Sequence, residues 1–412
     1  MTKPESVGLS SPRLNRIKAA VGQHLSDDKI AGAVMLVARR GEIVYLDSMG
    51  WQDRESKTEM QSDSIFRIYS MTKPITCTAA MMLYEEGRFR LSDPLFTYLP
   101  EFADVKVYVS GQGDEMVTEA PNRPITIHDL FTHTSGLSYH FTEYGVVDQL
   151  YRDTKQVRDR PLAEFSADAA KLPLAFHPGT KWRYSIAHDI LARVVEVISG
   201  QAYDDFLQDR LFGPLGMVDT GFYVPAEKHD RFTTMYGTVS IDEVDTSVTM
   251  WFGLAMMGQY RRLNGALDSQ QSFKHNSLRG GSGLVSTVQD YWRFAQMLLN
   301  DGEFNGQRFL GRKTVELMRS NQLAPDLLPY ELSGLYSPGQ GFGLGMRVTA
   351  DVGLAQMMGS VGDYGWGGAA NTSFWIDPQE ELIGIIMTQH QPSGFIPSSA
   401  DFRTAVYQAI VD

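Results

Sequence analysis

Apolar residues recur at helical spacing after Thr72, at Ile75, Ala79, Met82 and Leu83, with Pro74 in the first turn and Gly87 beyond the last. That pattern predicts a helix from Thr72 to Leu83 that stops at Gly87. An amphipathic stretch predicts a first helix around residues 11 to 25. Ala31 to Arg39 and Glu42 to Ser48 read as short strands joined by a hairpin at Arg40-Gly41. Near the other end, Thr372 to Ile376 and Leu382 to Thr388 form a second such pair around Asp377-Pro378. Between the pairs lie a capped helix from Thr126 to His133 and another from Ile186 to Ile198, ended by Ser199-Gly200. Strands contributed from both ends of the sequence to one sheet make the middle an excursion. The expected fold is therefore α/β of the α+β type, an antiparallel sheet flanked by helices with an inserted, mostly helical domain. The expected boundaries are 1–85 plus 190–412 for the sheet domain and 86–189 for the insert.

Composition narrows the class. At 412 residues the chain exceeds the usual size of a single core, yet it has no linker-like or repetitive tract, so two closely packed domains sharing a cleft are expected. With 43% hydrophobic and 21% charged residues it has ample material for a core. A net charge of −12, with no basic cluster to offset it, disfavours nucleic acid and anionic membrane surfaces as partners. The single cysteine, Cys77, forms no intramolecular disulfide and reads as a buried core thiol. The first residues carry no apolar export segment and no later run has transmembrane length, so a cytoplasmic location is expected.

Candidate chemistry centres on Ser70-Met71-Thr72-Lys73. A serine hydroxyl needs a positioned base, and residues three apart on a helix share a face. The spacing alone is weak, because Ser26-Asp27-Asp28-Lys29 repeats it. There, two acids between serine and lysine hold the amine protonated in a surface turn, so Ser26 reads as solvated surface. Other hydrolytic patterns are missing: there is no G-x-S-x-G and no H-E-x-x-H, and the nine histidines do not fall at zinc spacings. His128 and His133, five apart, read as local hydrogen-bonding groups. The run Gly339, Gly341, Gly343, Gly345 continues into Met346-Arg347-Val348 rather than a helix, so it reads as entry from loop to strand instead of a phosphate loop.

Three motifs in order carry a resemblance: Ser70-Met71-Thr72-Lys73, then Tyr184-Ser185-Ile186 after His177-Pro178-Gly179-Thr180, then Trp366-Gly367-Gly368 before a predicted strand. Supporting phrases are Leu130 to Leu137, Pro214 to Thr220 and Gly281 to Thr287. Together they resemble the serine β-lactamase-like hydrolases across roughly residues 10 to 410, and among these the family VIII carboxylesterases that share the class C β-lactamase fold. The resemblance implies a β-lactamase/transpeptidase-like architecture. Class C β-lactamases carry Tyr-x-Asn and Lys-Thr-Gly where this sequence has Ile186 and Trp366-Gly367-Gly368. Both departures remove polar or cationic groups that an anionic β-lactam engages and a neutral ester does not need.

The resemblance implies acyl transfer through a covalent intermediate on Ser70, with Lys73 and Tyr184 as the paired base, and it leaves open which of the two takes the proton. It places the oxyanion hole at the backbone N–H groups of Ser70 and Ala369, where a helix N-terminus favours developing negative charge. Gly367 and Gly368 let the strand edge approach substrate, while Trp366, Ile186, Tyr139 and Phe141 are candidate pocket residues. Met250 to Met257 reads either as an adaptable acyl pocket or as core. No metal or organic cofactor is implied. The expected partner is a small-molecule ester of short to medium acyl chain, with weak β-lactamase or acyltransferase side activity. The rivals are a β-lactamase or D-alanyl peptidase, a secondary-metabolite acyltransferase, and a non-catalytic scaffold that keeps the fold.

Overall fold

A computed structural model describes residues 1–143, 145–154, 159–240, 256, 258–332 and 335–412. Its organising element is the strand Gly32–Arg39, all of whose residues are buried. Successive side chains point to opposite faces of a strand. Accordingly Ala33, Met35 and Val37 join one apolar cluster with Ile17, Val21 and Phe402, while Val34, Leu36 and Ala38 join the other with Ile75 and Phe294. The first cluster is closed by the helices Arg16–Ser26 and Ser398–Tyr407, which pack on each other. On the other face the helix Val288–Leu299 lies against Gly32–Arg39 and Leu382–Thr388.

Among the described residues the main sheet has eight strands. Their order is Gln340–Phe342, Arg347–Thr349, Tyr364–Gly368, Thr372–Asp377, Leu382–Thr388, Gly32–Arg39, Glu42–Asp53 and Thr58–Glu59, with all neighbours antiparallel. The expected union of both ends holds, with Leu36 opposite Ile385. Arg40 and Gly41 both take positive φ, at 54° and 81°, as a two-residue turn with right-handed twist demands. The second strand of this hairpin runs five residues further than expected, to Asp53. The glycine run is likewise more regular than the expected loop entry: Gln340–Phe342 is itself a strand, and it pairs with Arg347–Thr349.

The excursion carries the helices Ile127–Thr132, Val146–Asp153 and Leu162–Ala169 and a small hairpin of Val107–Ser110 with Val117–Glu119. Thr126 caps the first of these helices in a reciprocal box with Asp129, and His133 ends it in the left-handed conformation, φ 58°. The helix Ala187–Ser199 ends on left-handed Gly200. Apolar side chains of the excursion, among them Phe131 and Leu162, belong to the same cluster as Ile75 and Leu191. Among the described residues no helix is long and apolar enough to cross a membrane.

Candidate active site

The helix Thr72–Glu85 is buried along nearly its whole length, and three of its polar residues explain how it is held. Thr72, Lys73 and Thr76 share a face and all reach the segment 280–284. Thr72 Oγ1 accepts from Leu284 N–H at 3.2 Å, Thr76 Oγ1 donates to Gly280 O at 2.6 Å, and Lys73 Nζ donates to Gly281 O at 2.7 Å. The turn before the helix is pinned by Tyr291, whose hydroxyl donates to Met71 O at 2.8 Å. Tyr69 in that turn has φ 42°, an uncommon conformation for a bulky residue, directly before Ser70.

Ser70 Oγ lies 3.2 Å from Lys73 Nζ and 2.7 Å from Tyr184 Oη. The hydroxyl, the amine three residues on and the phenol 114 residues on thus meet within hydrogen-bonding reach. Lys73 is fully buried, and its Nζ also stands 3.1 Å from Tyr139 Oη and 4.4 Å from the centre of the Tyr184 ring. Trp366 Nε1 donates to Tyr184 Oη at 3.4 Å. By contrast Ser26 Oγ is spent on the carbonyls of Gly22 and Gln23 at the surface, and Lys29 pairs with Asp27.

These groups open onto a cavity of about 690 Å³. Ser70, Tyr184, Ile186 and Ala369 line it, as do Trp366, Gly367 and Gly368. Gly368 admits no side chain, since a Cβ there would sit 2.3 Å from Ile68 O and from Thr372 Oγ1. Tyr139 and Phe141 stack at 4.8 Å and form a wall, and Tyr139 reaches deeper than a pocket wall because it also touches Lys73. Of the two loops expected to shape the pocket, 316–340 contributes Tyr330, Leu332 and Leu335, whereas the cavity wall includes no residue of 103–123. The Met250 to Met257 segment lies outside the described residues apart from Met256.

Burial dominates the electrostatics. His133 and His188 pack edge to face 4.5 Å apart behind Tyr184, and desolvation holds both imidazoles well below their usual protonation range. They are therefore neutral; His133 Nδ1 is engaged with Ser185 Oγ and His188 Nε2 with Phe131 O. Burial also pushes the Cys77 thiol up, and its location in the core is as expected. The residues that the sequence reading missed are Asp189, Arg279 and Gly281. Asp189 is 3% exposed and accepts from Gly281 N–H at 3.0 Å. Burial raises its carboxyl, opposed by the charges of Arg279 and Lys73. Burial in turn pushes Arg279 down to about 10, opposed by Asp189. The signal was available as an acid inside the apolar Ile186 to Ile198 pattern. Among the described residues no cluster of three or more His, Cys, Asp or Glu is placed to hold a metal.

The sequence matches the Beta-lactamase family over residues 17–408, and the chain belongs to that family. Within it, the chain is 32% identical over 405 residues to Esterase EstB of Burkholderia gladioli, covering 95% of this chain and 94% of that one. It is 31% identical over 373 residues to the lovastatin esterase of Penicillium rubens, covering 87% and 88%. A solved structure described as EstCE1, a hydrolase with promiscuous acyltransferase activity, superposes with a TM-score of 0.78 at 26% identity, covering 96% of this chain and 99% of that one. The resemblance to the serine β-lactamase-like superfamily and the β-lactamase/transpeptidase-like fold both hold.

Proposed function

We propose that the protein is a serine hydrolase that cleaves small carboxylic esters of short to medium acyl chain through an acyl-enzyme on Ser70. The observation that carries the reading is Ser70 Oγ within 3.2 Å of Lys73 Nζ and 2.7 Å of Tyr184 Oη on the wall of a cavity whose third-motif position is the indole of Trp366. Ser70 Oγ attacks the ester carbonyl and its proton passes to the Lys73 and Tyr184 pair; Tyr184 stands where it can return a proton to the leaving alcohol. The backbone N–H groups of Ser70 and Ala369 receive the developing oxyanion, and water releases the acyl group. The names of EstB, the lovastatin esterase and EstCE1 support ester chemistry. The acyltransferase behaviour in the description of EstCE1 supports an alcohol as a second acceptor.

A small-molecule ester is the partner we propose, and the net charge of −12 supports no role with nucleic acid. An indole at the third motif removes the cation that a β-lactam carboxylate would meet at that position, which disfavours the β-lactamase and peptidase readings. The test sets nitrophenyl butyrate beside nitrocefin, with fluorophosphonate labelling of Ser70 as a check on the nucleophile. The expected result is a higher kcat/KM for the ester and loss of both label and turnover in Ser70→Ala. Faster nitrocefin hydrolysis overturns the substrate class, and label retained in Ser70→Ala overturns the nucleophile.

A further inference from the structure

Two cavities adjoin one tyrosine. The first is the space of about 690 Å³ onto which Ser70 opens, and the second, of about 310 Å³, has Thr180 and Trp182 in its wall. Among the described residues Tyr330 alone lines both. The short hairpin that follows it, Glu331–Leu332 with Leu335–Tyr336, divides its side chains between them. Successive side chains of a strand point to opposite faces, and accordingly Leu332 and its cross-strand partner Leu335 line the first cavity while Glu331 lines the second. Tyr330 stands at the root of that hairpin, where its carbonyl accepts from Ser337 N–H at 3.0 Å.

The ring of Tyr330 is fixed on several sides. It is 3% exposed, packs on Trp182 at 4.5 Å and edge to face on Phe342 at 6.0 Å, and its hydroxyl donates to Gln340 Oε1 at 3.3 Å. Phe342 in turn meets Trp366 at 5.3 Å, and Trp182 stacks on Tyr184 at 6.2 Å. The division between the cavities is thus built from aromatic rings that also back the phenol bonded to Ser70. Trp182 lines only the second cavity, and Tyr184 and Trp366 line only the first. Tyr330 is the place where one side chain separates the two spaces.

We propose that Tyr330 is a specificity-determining residue: its ring ends the acyl arm of the cavity, and the space of about 310 Å³ behind it is room that the ring denies to a longer acyl chain. The proposal rests on the acyl-enzyme reading. In that reaction the alcohol departs and water or a second alcohol arrives while the acyl group stays on Ser70. An arm that ends in buried rings therefore suits the acyl chain, which has no need to leave until the last step. Removing the ring joins the two spaces, because a buried site collapses only partly around a deleted side chain. Trp182, Leu327 and Pro329 give the second cavity an apolar side, so a chain that passes Tyr330 gains there about fourfold per methylene.

The experiment measures kcat/KM of the full-length protein for nitrophenyl esters from acetate to dodecanoate, with Tm recorded for every variant. In the wild type the values are expected to pass through a maximum, beyond which the chain meets Tyr330. Tyr330→Ala is expected to move that maximum about two to four carbons longer, and to raise the first ester past the wild-type maximum by about tenfold relative to butyrate. Tyr330→Phe keeps the ring and is expected to keep the maximum. Adding Leu327→Trp to Tyr330→Ala refills the second cavity and is expected to bring the maximum back, a non-additivity that loosened packing alone does not produce. A wild-type series without a maximum overturns the proposal, as does a maximum that Tyr330→Ala leaves in place. So does one that moves equally in Tyr330→Phe or stays displaced in the double variant. Should Tyr330→Ala fail to fold, Tyr330→Leu is read in the same way, with a shift of about one to two carbons expected.

Fluorophosphonates carrying the same chains on phosphorus keep this inference apart from the esterase reading. Ser70 Oγ bonds to phosphorus, its proton passes to the Lys73 and Tyr184 pair and fluoride leaves, so the labelling rate reads chain length with no ester turned over. Wild-type labelling without ester turnover sinks the esterase reading, and the labelling series then decides the role of Tyr330 by the same shift.

Discussion

At the residue scale, Ser70 and Ser26 show why a spacing is not a site. Both are followed three positions later by lysine, yet Lys73 is wholly buried against Ser70 while Lys29 pairs with Asp27 in the open. A lysine held by an exposed carboxylate serves solvent, whereas one enclosed by Tyr139, Tyr184 and Gly281 has only Ser70 left to engage. Lys73→Ala is expected to lower nitrophenyl butyrate turnover by about 1,000-fold or more, and Ser26→Ala to leave it at the wild-type rate. Equal losses in the two variants would defeat the assignment. Gly281 gives a subtler case. A Cβ there would lie 2.7 Å from Tyr139 Oη and 2.8 Å from Asp189 Oδ2, so Gly281→Ala pushes those two groups apart. It is expected to cost about 1–3 kcal/mol of stability by overpacking and to slow turnover as well. Denaturant unfolding and ester kinetics on one preparation check both.

At the element scale, the helices were legible where their ends are chemically marked. Thr126 with Asp129, the stop at Gly87 and the stop at Gly200 all appear where local chemistry puts them, because caps and left-handed glycines act within a turn. Both hairpins were legible for the same reason. The cavity wall of Tyr330, Leu332 and Leu335 was not, since its place depends on where the rest of the molecule leaves those residues. Asp189 was overlooked because an acid in the first turn of a helix has an ordinary local explanation. Its meeting with Tyr139 and Gly281 is set by tertiary packing alone.

The Thr126 cap supplies a test at the same scale. Burial works to raise the Asp129 carboxyl, but the Arg123 guanidinium at 2.6 and 2.9 Å and the bonds from Thr126 outweigh it and hold it below its usual range. A carboxyl depressed in the folded state stabilises above its unfolded value, near pH 4, and loses that contribution as pH falls through the folded value. Arg123→Gln is therefore expected to be less stable than wild type at neutral pH, with the gap narrowing below about pH 4. A gap that stays constant down to acid pH would show that the pair contributes nothing through Asp129. Thr126→Ala is expected to cost about 1 kcal/mol, read from the shift in denaturant midpoint.

For the whole molecule, the question is how a sheet built from both ends and an excursion from the middle shape what the cavity accepts. Trp366 and its glycines come from the sheet, Tyr139 and Phe141 from the excursion, and Leu332 and Leu335 from a separate hairpin, so the cavity has one wall that neither Ser70 nor the sheet positions. Its volume of about 690 Å³ is several times what an acetyl group fills. Each methylene moved from water onto apolar walls contributes about 0.8 kcal/mol, a factor near four. Across nitrophenyl acetate, propionate and butyrate, kcat/KM is thus expected to rise by about two- to fourfold per carbon, the lower figure allowing for partial contact. The wall that Leu332 contributes is read by Leu332→Ser, which is expected to reduce the butyrate-to-acetate ratio by about fivefold, because the longer acyl group has more apolar surface to lose against it. A flat series in the wild type, or a ratio that Leu332→Ser leaves where it was, would place the acyl chain elsewhere and make this hairpin the binding surface for the alcohol instead.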